Sequence, residues 1–106
     1  MKKTLVLVLV AGMSLGAMAA EVRGNAAAGK SKIAMCSGCH GIPGYKASFP
    51  EVYSVPLIGG QSEAYIVAAL NAYRKGERTH PTMAGVAKGL NDQDIADLAA
   101  YYSQQK

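Results

Sequence analysis

Nowhere does the sequence alternate apolar and polar residues for long, and no segment repeats another. The missing alternation excludes a sheet-based fold, and with it the strand-helix-strand setting expected of a redox-active Cys-x-x-Cys pair. Cysteine and histidine are scarce, with two of each. Three of those four residues share one short motif, and outside it only His80 is left, so a zinc site finds no second cluster of ligands. No basic stripe of the kind that tracks nucleic acid is present. The longest apolar run, at the N-terminus, falls short of the ~20 residues that span a bilayer.

What is present begins with "MKKTLVLVLVAGMSLGAMAA": two lysines, an apolar run from Leu5 to Met13, then small residues ending in Ala17-Met18-Ala19. That order predicts a secretory signal peptide over residues 1–19, cleaved after Ala19. Gly12, Ser14 and Gly16 interrupt the run and argue against a membrane anchor. Residues 20–106 then form one small domain, 87 of the 106 residues, a length that buries a limited core and often needs a staple. Lys2 and Lys3 leave with the signal, so the whole-chain charge of +4 becomes nine Lys and Arg against seven Asp and Glu, a mild +2. Export to an oxidising compartment would ordinarily join two cysteines. A bridge between Cys36 and Cys39 closes so small a loop that it constrains the unfolded chain little, and the pair needs another purpose.

Along the remaining chain, "GNAAAGKSKIAMCS" (24–37) has helical spacing around Ile33 and predicts a first helix running into the cysteines, with Met35 as core. "GIPGYKASFPEVYSVPLIGGQ" (41–61) carries three of the four prolines and four glycines without a period, and reads as a long ordered loop. "SEAYIVAALNAYRKGER" predicts the second helix: Ser62 as N-cap, Glu63 in the first turn, Ile66, Ala69, Leu70 and Tyr73 on one face, and Arg74 and Lys75 before Gly76. "THPTMAGVAKGL" (79–90) reads as a second loop. The last helix starts at Asn91, with Asp92 and Asp94 at its positive end and Ile95, Leu98, Ala99 and Tyr102 as its buried stripe. Three main helices with two loops this long describe an all-α fold wrapped around something large and apolar.

The chemistry sits in "AMCSGCHGIPGY". Cys36, Cys39 and His40 make the C-x-x-C-H pattern of covalent haem c attachment. One helical turn places both thiols toward the two vinyl groups of one haem, and the next residue turns its imidazole toward the iron. The sixth iron position decides between electron transfer and chemistry on a bound molecule. Met35 adjoins Cys36 and cannot reach across the ring. Met83 follows His40 by 43 residues, far enough to approach from the opposite face, with His80 in the same loop as its rival.

With "CSGCHG", "PLIGGQ", "YRKGERTHPTM" and "LNDQDIADLAAYYS" in that order, the chain from Gly24 to Gln105 resembles the class I c-type cytochromes of bacteria. The resemblance is to the small single-haem relatives of the repeat unit in di-haem periplasmic cytochromes. It implies a small cytochrome c fold, one covalent haem and a periplasmic location. It also implies that Pro56 offers its backbone carbonyl to the other ring nitrogen of His40, and that Gly29 packs against Tyr101 or Tyr102. The loop "IPGYKASFPEVYSV", with Tyr45, Phe49 and Tyr53, and His80 beside the ligand loop depart from the pattern. The loop is a candidate for partner specificity, and His80 raises the chance of ligand exchange.

Gln61, Tyr65, Arg74 and Arg78 are candidate donors to the haem propionates, Tyr65 and Arg78 ahead of the others. Filled axial positions leave outer-sphere transfer of one electron between Fe(II) and Fe(III), with a rather positive potential. The expected protein is an electron carrier, not an enzyme. It docks transiently on redox partners, acts as a monomer, binds no nucleic acid and is not inserted in a membrane once the signal is cut. The rival class is a haem enzyme or gas or redox sensor with a labile sixth ligand, motivated by His80 and the unusual loop. No distal Arg/His catalytic pair supports it.

Overall fold

The computed structural model describes residues 21–48 and 51–106; the signal peptide expected over 1–19, and Phe49, lie outside them. The described residues form five helices and one two-stranded ribbon: α1 (Ala26–Lys30), α2 (Ala34–His40), β1 (Lys46–Ala47), β2 (Tyr53–Ser54), α3 (Glu63–Lys75), α4 (Pro81–Lys88) and α5 (Asp92–Ser103). The all-α expectation holds, with two local differences.

The first helix is broken at residues 31–33. The Ser31 hydroxyl donates to the Ala28 carbonyl at 2.7 Å, and the Ser31 and Lys32 amides donate to Ala28 and Gly29. This tight local bonding ends α1 before the chain starts again into the cysteine motif. The second difference is α4, which occupies most of the segment read as a loop. Its N-cap is His80 rather than a residue that announces a helix, and Gly85 lowers its intrinsic propensity. The 41–61 segment is irregular, as expected, apart from the antiparallel pairs Lys46–Ser54 and Ala47–Tyr53.

Capping fixes where the long helices begin. The Ser62 side chain accepts from the Tyr65 amide, and α3 ends at Gly76 in the left-handed region, φ 81°, where glycine is free of a Cβ clash. Asn91 and Asp94 form a reciprocal capping box at the start of α5, a motif typically worth ~1 kcal/mol.

Helix α5 is the centre of the fold. Ile95, Leu98 and Ala99 are almost fully buried, and Ile66 of α3 joins Leu98, Ala99 and Tyr102 in the core. On its other side α1 crosses it at glycine distance: a Cβ on Gly24 would stand 2.0 Å from the Ala96 oxygen, and one on Gly29 would stand 2.1 Å from the Asp97 oxygen and 2.8 Å from the Tyr101 Cβ. The expected Gly29–Tyr101 contact is therefore present.

Asp97 is a carboxylate only 2% exposed. It accepts from the Asn25 amide, the Gln93 amide nitrogen and Lys32 Nζ at 2.7–2.8 Å, and Lys32 also reaches Asp94 at 2.8 Å. The Lys32 bond, then those from Asn25 and Gln93, hold the Asp97 carboxyl down to about 2. The core thus packs α3 on one side of α5 and α1 on the other, which leaves the cysteine helix, the ribbon loop and α4 to enclose a space.

Candidate haem site

That space is a cavity of about 460 Å³ whose wall includes Cys36, Cys39 and His40 from α2, Pro56 and Ile58 from the loop, Tyr65, Ile66 and Leu70 from α3, Met83 and Val86 from α4, and Leu98 and Tyr102 from α5. Cys36, Cys39, His40, Pro56, Gln61, Tyr65, Arg78 and Met83 all line it, and of the residues singled out for the site only Arg74 does not. They come together from segments up to 47 residues apart because α3 and α5, packed on each other, gather the elements that carry them. A larger, more open hollow of about 920 Å³, between residues 21–22, α3 and α5, contains neither thiol nor imidazole.

Both cysteines are unbridged. They sit one turn apart on α2, as their spacing requires. Burial raises the Cys36 thiol above its ordinary range, with the Tyr102 hydroxyl partly opposing the shift. His40 ends α2, and its Nδ1 donates to the Pro56 carbonyl at 2.7 Å. A carbonyl can only accept, so the ring proton is on Nδ1 and the Nε2 lone pair is free for a metal. The proline is held by its own loop: Gly60, at φ 80°, donates its amide to the Tyr102 carbonyl at 2.8 Å, docking "PLIGGQ" on the end of α5.

Met83 stands in the first turn of α4 and lines the same cavity as His40. Met35, expected in the core, is instead 73% exposed although it borders the cavity, because the short helix α2 turns its Cys36 side toward the core cluster. Arg74, among the propionate candidates, is turned elsewhere: it donates to the Leu90 carbonyl at 3.1 Å and the Asn71 oxygen at 2.6 Å and pairs with Asp92. Arg78 lies over the Tyr73 ring, 4.5 Å from its centroid, at the cavity wall. Tyr65 is about half exposed there.

Two participants escaped the sequence reading. His80, named as the rival ligand, is the N-cap of α4, and its Nδ1 accepts from the Met83 amide at 3.3 Å. The dipeptide His80-Pro81 carries that signal, since a residue before proline is pushed toward the extended conformation of an N-cap and proline suits the first helical position. Tyr102, expected only as core, also lines the cavity, with its hydroxyl buried behind that wall.

Tyr102 also tests whether the cavity suits a cofactor. Its hydroxyl is buried with no hydrogen-bond partner among the described residues; the Cys36 sulfur is near enough to perturb it but does not satisfy it. Burial first, then Cys36 and Tyr101, push this phenol up to about 12. An apolar cavity with paired thiols, an oriented imidazole, a thioether and an orphan hydroxyl fits a haem. Among the described residues, no cluster of three or more His, Cys, Asp or Glu side chains offers a rival metal site.

The sequence profile of the family described as Cytochrome c matches residues 26–106. The chain belongs to the cytochrome c family. The cytochrome is 44% identical over 86 residues to cytochrome c-554(548) of Halomonas halodenitrificans, an alignment covering 78% of this chain and 99% of that one. It is 40% identical over 87 residues to cytochrome c4 of Pseudomonas aeruginosa, covering 82% of this chain and 41% of that one. The crystal structure of reduced cytochrome c4 from Pseudomonas stutzeri superposes with a TM-score of 0.64 at 36% identity, covering 78% of this chain and 46% of that one. The cytochrome therefore spans less than half of these two cytochrome c4 chains and matches nearly all of the shorter cytochrome c-554(548). The cytochrome c4-type homologues are electron-transfer proteins, not enzymes, and the cytochrome c family binds covalently attached haem c, for which Cys36, Cys39 and His40 supply the attachment pattern. Among the described residues no helix is long and apolar enough to cross a membrane.

Proposed function

We propose that this cytochrome is an exported, periplasmic carrier of single electrons, with one haem c tethered by Cys36 and Cys39 and ligated by His40 and Met83. The observation that carries the reading is the 2.7 Å hydrogen bond from His40 Nδ1 to the Pro56 carbonyl, in the cavity that Met83 also lines. It leaves Nε2 as the ligating nitrogen, fixes the ring's orientation and raises its basicity. The haem supplies the Fe(II)/Fe(III) couple.

The chain's own residues shape what that couple does. Ile66, Leu70, Val86 and Leu98 make an apolar wall that keeps water out, which disfavours the added charge of the oxidised state, and a thioether ligand acts in the same direction. A positive potential follows. Tyr65 and Arg78 stand at the cavity wall as donors for the propionates. A haem held by both His40 and Met83 would have no position left for oxygen or peroxide and would supply electron transfer without bond making.

The charge of the domain after signal cleavage is close to balanced, so steering by one strong field is not expected. Docking is transient, through a small interface, and the protein works as a monomer between a quinol-oxidising or dehydrogenase complex and a terminal acceptor. Optical spectra of the oxidised haem-loaded protein test the ligation. The weak far-red charge-transfer band of methionine-ligated ferric haem is expected in the wild type and absent in Met83→Ala. A wild type without the band, or a variant that keeps it, would refute the assignment.

A further inference from the structure

We propose that His80 is a positioning residue for the axial methionine: its imidazole, clamped by Tyr53, holds the backbone of Met83 in place. The inference rests on the His40/Met83 ligation proposed above. Three observations support it.

The Met83 amide donates to His80 Nδ1 at 3.3 Å, so the N-cap's acceptor captures the backbone of the ligand residue itself. Met83 is the third residue of α4, and its amide is one of the four that a helix start leaves without an internal partner. Pro81, first in the helix, restricts the backbone at that step, and the Ala84 amide returns to the His80 carbonyl at 2.8 Å.

The ring that supplies Nδ1 is itself clamped. Tyr53 of β2 meets it edge to face with centroids 4.4 Å apart and planes at 78°, and Tyr73 of α3 stands at 6.5 Å and 83°. Such pairs contribute beyond their buried area and favour one ring orientation. The 41–55 loop, through Tyr53, thereby reaches the helix that carries Met83. This gives Tyr53 a task inside the molecule rather than on a docking face.

The hydrogen bond also settles what His80 is free to do. Nδ1 accepts from an amide, so the ring proton is on Nε2, and neither nitrogen offers a lone pair while the cap is formed. Ligand exchange to His80 therefore requires the cap to open, which makes the cap a guard on the Met83 position.

The test compares haem-loaded wild type, His80→Ala, His80→Asn, Tyr53→Ala and Met83→Ala, reading the far-red band against temperature and carbon monoxide binding to the reduced protein. Asn is as good an N-cap as any residue and restores an acceptor without an imidazole. Loss of a typical cap multiplies the population with Met83 released by about five-fold. His80→Ala is accordingly expected to lose the band well below its global unfolding temperature and to bind carbon monoxide about five-fold faster. His80→Asn should return both toward wild type, and Tyr53→Ala should shift both in the direction of His80→Ala.

A His80→Ala protein with a wild-type band and wild-type carbon monoxide binding, altered only in unfolding temperature, would overturn the proposal. So would failure of Asn to rescue, and if Ala does not fold, a weakened band in folded His80→Asn decides against it in the same way. Met83→Ala separates the two readings: a band that survives there removes the ligation assignment itself, whereas its loss leaves the His80 comparison to decide the positioning role alone.

Discussion

Gly29 lies so close to Asp97 that a β-carbon on it would stand 2.1 Å from the Asp97 carbonyl oxygen, closer than any real contact. The obstacle is backbone of the buried helix α5, which cannot swing aside as a side-chain tip could. Gly29→Ala must therefore push α1 off α5, and the Asn25–Asp97 hydrogen bond goes with it. A loss of about 3 kcal/mol is expected, the upper part of the range for overpacking a core. Denaturant unfolding of the haem-loaded protein measures it, and an unchanged midpoint would contradict the packing described.

Acid should act first at the Asp97 cluster. Its carboxyl titrates near about 2 in the folded chain and near about 3.9 when unfolded. A depressed folded value means the stabilisation is complete above the unfolded value and is lost as the pH falls from about 4 through about 2. Asp94, also lowered by Lys32, adds in the same sense. Urea midpoints between pH 5 and pH 2 should fall more steeply for wild type than for Asp97→Asn, and parallel curves would show that the cluster contributes nothing.

The His40–Pro56 hydrogen bond predicts a change in potential rather than in attachment. Replacing Pro56 with Gly keeps the carbonyl but frees the backbone, so the bond from His40 Nδ1 weakens and the imidazole becomes a poorer electron donor. Ferric iron then loses more support than ferrous. Potentiometry should find a higher midpoint with the haem still covalently bound; a lower midpoint would mean that the carbonyl does not raise the basicity of this ligand.

Arg74 should behave as a structural tie. It joins α3 to the start of α5 through the Leu90 carbonyl, Asn71 and Asp92. Arg74→Ala leaves these partners to water and is expected to cost about 1–2 kcal/mol of stability. Its midpoint potential should match wild type, because the side chain is directed away from the cavity. A shifted potential with unchanged stability would return Arg74 to the propionates.

Much of this protein was legible because its signals are local. Ser62 and Asn91 mark the starts of α3 and α5 as their side chains predict, and Gly76 ends α3. Cys36, Cys39 and His40 carry their chemistry in their spacing. Helix α4 lacks the usual start signals because its cap is a histidine, whose ring packs on Tyr53 and Tyr73, 27 and 7 residues away in sequence. Helical spacing points Met35 to the core, but spacing says which residues share a face and not how far that face turns inward. The break at Ser31 depends on a hydroxyl choosing the Ala28 carbonyl over water, a choice that propensity does not register.

By itself the sequence determined the attachment motif, the all-α class and the two long capped helices, since each depends on bonds within a few residues. Tertiary structure alone decided that the Pro56 carbonyl meets His40 Nδ1, that the Tyr102 hydroxyl is buried beside Cys36 without a partner, and that Tyr53 and Tyr73 close on the His80 ring. Those relations depend on where α3 and α5 bring distant segments together, and packing of that kind is a property of the folded volume rather than of any stretch of chain.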